Sequence, residues 1–136
     1  TYLVGAAKRV TGVVGTQQLV STVEDAASIA MEFEDGVQGS AAFHWNCPVS
    51  RDTLEIVGSQ GILSIDSLSD KGLLALETGT STERWRLPAS APVHLNLVQH
   101  FVDHLLEGKP NPLPGESGML ATSIAQAVYE ADASHK

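Results

Sequence analysis

For its first two-thirds the chain alternates apolar and polar residues, and then the period changes. Arg9 to Gly15 is short and rich in β-branched residues, which predicts a strand. Ala26 to Glu34 follows, with Ala27, Ile29, Met31 and Phe33 on one side. Asp35-Gly36 predicts a tight turn, because Gly tolerates the positive φ that short hairpin loops need. Val37 to Asn46 then puts Val37, Gly39, Ala41, Phe43 and Trp45 on one face. Gln38, Ser40, Ala42, His44 and Asn46 fall on the other. Thr53 to Val57 and Ile62 to Asp66 flank the turn Gly58-Ser59-Gln60-Gly61, and Gly72 to Glu77 with Glu83 to Leu87 predicts a closing hairpin. Ser81 to Pro92 has the weakest pattern of any stretch.

Beyond that stretch the spacing becomes helical. Leu95, Val98, Phe101, Val102, Leu105 and Leu106 recur at helical intervals between Pro92 and Gly108. Gly108 suits the position just past a helix end, and Pro110 prevents continuation. A last helix is predicted from Glu116 to Ser134, with Leu120, Ile124, Ala127, Val128 and Ala131 as its buried stripe. Glu116 suits the positive end of that helix.

Together these elements predict an α+β fold: a predominantly antiparallel, open-faced β-sheet covered on one side by helices, two of them C-terminal. Phe43, Trp45, Ile29, Met31, Leu54, Ile56, Leu63 and Ile65 are expected on the helix-facing side, with Phe101 and Leu105 packed against them. Ser40, Ala42, Thr53, Glu55 and Ser64 are expected on the open side. A face so small and flat can meet a second copy of the chain, so these five residues are the candidate subunit interface.

At 136 residues the chain has the length of a single domain. The net charge of −8 and only eight Lys and Arg, scattered, argue against a nucleic-acid or anionic-membrane partner. No apolar run approaches the roughly 18 residues of a membrane span. One cysteine, Cys47, rules out an internal disulfide and a Cys-based zinc cluster, and fits a reducing cytoplasm. Cys47 reads as a small buried filler. The opening Thr1-Tyr2-Leu3-Val4-Gly5 has no initiator Met and no leader pattern, and reads as a chain cut in mid-protein.

Four local features, in order, carry a family resemblance. Val23-Glu24-Asp25-Ala26-Ala27 leads into a strand and then Phe33-Glu34-Asp35-Gly36-Val37-Gln38-Gly39. Leu54-Glu55-Ile56-Val57-Gly58-Ser59-Gln60-Gly61-Ile62-Leu63 follows. Phe101 lies on a helix ending in Glu107-Gly108-Lys109-Pro110, and Gly115-Glu116 opens an Ala-rich helix containing Tyr129. Over nearly the whole chain this resembles the C-terminal substrate and oligomerisation domain of the Gfo/Idh/MocA oxidoreductases. The resemblance implies a missing N-terminal Rossmann domain, NAD or NADP bound by that domain, and a sugar, polyol or related hydroxy compound as substrate. It implies a homo-oligomer, with a cytoplasmic location expected. It also implies that the family's catalytic Asp, His and Lys lie outside this chain. Gly108-Lys109-Pro110 only echoes the family's Glu-Lys-Pro motif.

The chain's own residues agree with the missing half. A dinucleotide site needs Gly-x-Gly-x-x-Gly between a strand and a helix, and no Gly-x-Gly occurs here. Gly58-x-x-Gly61 lies between two predicted strands and reads as a hairpin. No catalytic, cofactor-binding or metal-binding residue is therefore assigned, and no turnover or NAD(P) binding is expected of the chain alone.

His44, Trp45 and Asn46 are the candidate substrate contacts: two hydrogen-bonding side chains around a ring able to stack on a sugar face. The opposing reading puts Trp45 in the core and the other two at a dimer surface. His100 and His104 have the one-turn spacing of a zinc pair, but Phe101 stands where a zinc hydrolase carries its Glu, so they read as a solvated helix face. Arg51 and Arg84 read as exposed sheet-end residues or anion contacts. The class left open beside the oxidoreductase is a free-standing, non-enzymatic α+β module for ligand binding or assembly.

Overall fold

The computed structural model describes residues 3–18, 22–68, 72–86, 94–112 and 114–134. Seven strands and two helices follow one another: β1 (Ala7–Gly15), β2 (Ala26–Phe33), β3 (Gln38–His44), β4 (Leu54–Gly58), β5 (Gly61–Ile65), β6 (Leu73–Glu77), β7 (Thr82–Arg86), α1 (Leu95–Glu107) and α2 (Gly115–Ser134). The fold is α+β and every strand pair is antiparallel, as the alternation predicts. The strands form two sheets, β1-β2-β3 and β4-β5-β6-β7. The chain divides into two compact units, residues 1–48 with 112–136, and residues 49–111. The strand end expected at Leu87, the helix start expected at Pro92 and the opening Thr1-Tyr2 lie outside the described residues.

In the first unit the register sets Val10 opposite Met31, Gly12 opposite Ile29 and Val14 opposite Ala27, and β3 adds Gly39 and Ala41 to the same face. α2 covers β1 on that side. Val128 is 2% exposed and Phe33 is buried with it. Gly12 lets the helix come close: a Cβ there would lie 2.5 Å from the Ser28 carbonyl oxygen and 3.2 Å from Val128 Cγ1. The β2–β3 turn forms as Asp35-Gly36 predicts. Gly36 has φ 77, and Phe33 donates its N–H to the Val37 carbonyl at 2.8 Å. Asp132, one turn beyond Val128, is buried and accepts the Val14 N–H at 3.4 Å, which occupies a donor of the strand at the sheet's edge. The predicted stripe of α2 is therefore displaced toward its C-terminus. Ile124, Ala127, Val128 and Ala131 face the sheet with Asp132, while Leu120 is exposed.

In the second unit one sheet face carries the rows Leu54-Ile65-Leu74-Trp85 and Ile56-Leu63-Leu76. The opposite face carries Glu55-Ser64-Ala75-Arg84. The edge strand β7 is exposed throughout, and its Glu83, Arg84 and Arg86 discourage pairing with another edge. α1 forms where the periodicity places it and ends as predicted. Gly108 takes the left-handed conformation with φ 66 and donates its N–H to the His104 carbonyl at 3.1 Å. Two packing expectations fail. No residue of α1 is buried, and Phe101 (55% exposed) and Leu105 are not core residues. Phe43 and Trp45 are not core either, because α2 lies on β1 and leaves the end of β3 uncovered.

Candidate functional site

The densest polar arrangement in the first unit is at the open end of its sheet, around Asp25. This residue precedes β2 and is only 3% exposed. A carboxylate so deep must collect donors, because burying a charge unpaired is prohibitive. Its Oδ1 accepts the Gln17 backbone N–H at 2.7 Å. Its Oδ2 accepts the Gln18 N–H at 2.9 Å and Asn46 Nδ2 at 3.0 Å. The Asp25 backbone adds two more links: its N–H donates to the Gly15 carbonyl at 3.1 Å, and its carbonyl accepts the Trp45 N–H at 2.8 Å. One residue thus ties the exit of β1, the entry of β2 and the exit of β3.

The candidate substrate contacts lie on this hub. His44 closes β3, paired with Ala26, and is exposed. Trp45 has its backbone fixed by Asp25 while its side chain is 85% exposed. Asn46 is half-buried and spends a side-chain donor on Asp25. Cys47 is exposed, contrary to its reading as a buried filler, because the chain leaves the sheet there. Nearby, Tyr129 of α2 donates its hydroxyl to Glu24 at 2.9 Å, and this bond to a carboxylate holds the phenol above its ordinary pKa.

Asp25 is the functional candidate that sequence reasoning missed. The available signal was an acidic residue directly before a strand, in Val23-Glu24-Asp25-Ala26-Ala27. Its partner Asn46 lies 21 positions away, and only the strand register shows the pairing.

The candidate interface residues are carried by two sheets. Ser40 and Ala42 lie on the open face of β3, exposed, opposite Ala30 and Ser28. On the same face Arg9, Glu32 and Gln38 form a cross-strand row, with an ion pair between Arg9 and Glu32. A shallow depression is lined by Arg9, Thr11, Glu32, Gln38 and Ser40. Thr53, Glu55 and Ser64 line a second shallow depression with Asp66, Glu77 and Arg84, on the polar face of the second sheet.

His100 and His104 do not form a metal centre. His104 Nδ1 is hydrogen-bonded to the Lys109 carbonyl at 2.7 Å, and among the described residues no group of three or more potential ligands converges. Lys109 instead fastens the end of α1, bonding Glu107 at 2.8 Å and Asp103 at 3.2 Å. Hydrogen bonds from Gln99 and then Lys109 hold the Asp103 carboxyl below its ordinary value, and those to Glu107 and Asp103 raise Lys109. The Glu-Gly-Lys-Pro stretch is thus a helix terminator.

The same fold occurs within several solved oxidoreductase structures. An oxidoreductase from Agrobacterium radiobacter, solved with NAD+, L-tartaric acid and magnesium, superposes with a TM-score of 0.80 at 20% identity, over 99% of this chain and 44% of its own. The aldose-aldose oxidoreductase of Caulobacter crescentus, solved with glycerol, gives 0.78 at 17% identity, over 97% and 40%. The UDP-N-acetylglucosamine 3-dehydrogenase of Acidithiobacillus ferrooxidans gives 0.76 at 18%, over 95% and 41%. The chain therefore spans less than half the length of these structures, and at such identities the likeness establishes the fold. No curated protein sequence matches the chain. Residues 1–64 match the family model of the GFO/IDH/MocA C-terminal domain.

Proposed function

We propose that this chain is the substrate-facing and subunit-contacting part of an NAD(P)-dependent oxidoreductase acting on a sugar, polyol or related hydroxy compound. The observation that carries the reading is Trp45: an indole left almost entirely in solvent on a backbone held by a buried carboxylate, beside His44 and Asn46. An exposed ring on a fixed backbone is suited to stacking on the apolar face of a sugar, with neighbouring polar groups taking its hydroxyls. The family and the ligands named for the similar structures, NAD+, L-tartaric acid and glycerol, support the same class of chemistry.

The residues present do not fit a dinucleotide. Gly58 and Gly61 pair with each other across the β4–β5 hairpin, with no helix N-terminus after them to receive a pyrophosphate. NAD or NADP belongs in this proposal to a Rossmann domain outside the chain, together with the proton-transferring groups. This chain's share is to bind and orient the substrate. The open face around Ser40 and Ala42, and the polar face around Thr53, Glu55 and Ser64, are assigned to contacts between subunits. The proposal places the protein in the cytoplasm. Among the described residues no helix is long and apolar enough to cross a membrane.

The test is His44→Ala in the chain joined to its dinucleotide-binding domain. A several-fold rise in KM for a sugar or polyol substrate is expected, and unchanged kinetics would remove His44 from the site. For the subunit contact, light scattering at micromolar concentration should give a dimer or larger. A monomer would count against it.

A further inference from the structure

We infer that Asp25 is a positioning residue for the ligand corner. Its carboxylate ties Gln17 and Gln18 to Asn46, and its backbone carbonyl holds the Trp45 N–H, so the segment after β1 is part of the same site. The inference rests on the substrate-facing reading above.

The geometry carries three steps. First, five hydrogen bonds between Asp25 and described residues join points far apart in sequence, from Gly15 to Asn46, and three of these end on the two carboxylate oxygens. Bonds to a charged acceptor are about twice as strong as neutral ones. Second, what they fix is exposed: Gln17, Gln18 and Trp45 all present their side chains to solvent around a buried carboxylate. A purely structural clamp does not require a large exposed ring on the strand it holds. Third, Trp45 lies at the end of β3, past the last pair Ala26–His44. Its N–H bond to the Asp25 carbonyl and the side-chain bond of the next residue are what hold it there. Loosening Asp25 or Asn46 therefore loosens the indole without touching its ring. A planar ring carried on a fixed backbone loses less entropy on stacking against a pyranose or cyclitol than one on a loose backbone, and so favours binding.

The experiment uses the full chain with Trp85→Phe, so that Trp45 is the only tryptophan. Asp25→Asn and Asn46→Ala are introduced separately. Asn46→Ala removes only the exposed-side arm of the clamp and keeps the anion's two backbone donors, so it decides the matter if Asp25→Asn does not fold. Fluorescence anisotropy reports the mobility of Trp45, urea unfolding reports global stability, and titration with D-glucose and myo-inositol reports binding.

The expected result for Asn46→Ala is a chain that still folds with an unfolding midpoint lowered by the loss of one hydrogen bond, lower Trp45 anisotropy and probe affinity weakened about tenfold. Trp45 anisotropy unchanged in both variants would overturn the inference, because a merely structural Asp25 would leave the indole's mobility alone. Lower anisotropy with no probe bound even by the Trp85→Phe parent would uphold the clamp and overturn the sugar-facing reading. The two failures are thus distinguishable.

Discussion

The two helices of this chain make an instructive pair. α1 has the cleaner apolar stripe in sequence, and no residue of it is buried. α2 has the weaker stripe, interrupted by Asp132 and Tyr129, and carries the most buried apolar side chain of the described core, Val128. The difference is in the partner. β1 gives α2 a glycine at the point of closest approach and an edge N–H for Asp132, and Glu24 takes the Tyr129 hydroxyl. Leu106 of α1 is 80% exposed and its neighbours have no comparable seat. Helical periodicity therefore says which face wants to be covered, and only tertiary structure says whether this chain covers it.

Substitutions sharpen that contrast, beginning with the largest effect. Gly12→Val forces two methyl groups toward the Ser28 carbonyl and Val128, and should destabilise the fold by about 3 kcal/mol in urea unfolding. Val128→Ala opens a cavity on the same contact and should cost about 2 kcal/mol. At the end of α1, Gly108→Ala puts a side chain on a left-handed residue and should cost about 1 kcal/mol, seen as fraying of α1 by amide exchange. Leu106→Ser should change stability by no more than about 0.5 kcal/mol. A loss for Leu106→Ser as large as that for Val128→Ala would mean that α1 has a seat after all.

The pH dependence should separate the helices more gently. The Tyr129 phenol, raised by its bond to Glu24, keeps that tie while protonated and loses it as pH rises through the folded-state value. Asp103 is lowered, so its contribution to the end of α1 is complete above the ordinary carboxyl range and fades as pH falls through its folded-state value. Alkaline conditions should loosen the Tyr129 tie on α2, and also the Lys109 tie at the end of α1 as that raised ammonium loses its proton, while acid should loosen the Asp103 contribution to α1, as residue-resolved amide exchange would show. Tyr129 is exposed and Asp103 is half-buried at the surface, so the effects should be small and should shrink in salt.

The strands were legible in the sequence because alternation is a local property. Ala27, Ile29, Met31 and Phe33 fall on the expected face, and Asp35-Gly36 turns where the residues demand. The end of α1 was legible for the same reason. What is not local was not legible. Nothing near Trp45 in sequence shows that α2 stops short of covering it, and nothing near Asn46 names Asp25 as its partner. Alternation assigns Phe43 and Trp45 to the core because it assumes a cover along the whole strand. The site was read from residue type in His44, Trp45 and Asn46. The buried carboxylate beneath them appears only once β1, β2 and β3 are in register.

The most direct test of the functional account is Trp45→Ala in the chain joined to its dinucleotide-binding domain, assayed against a panel of sugars and polyols. The account predicts a rise in KM of about tenfold for the preferred substrate, one stacking contact's worth, with kcat little changed. KM unchanged for every substrate that turns over would contradict it, and would return the exposed indole to a contact between proteins.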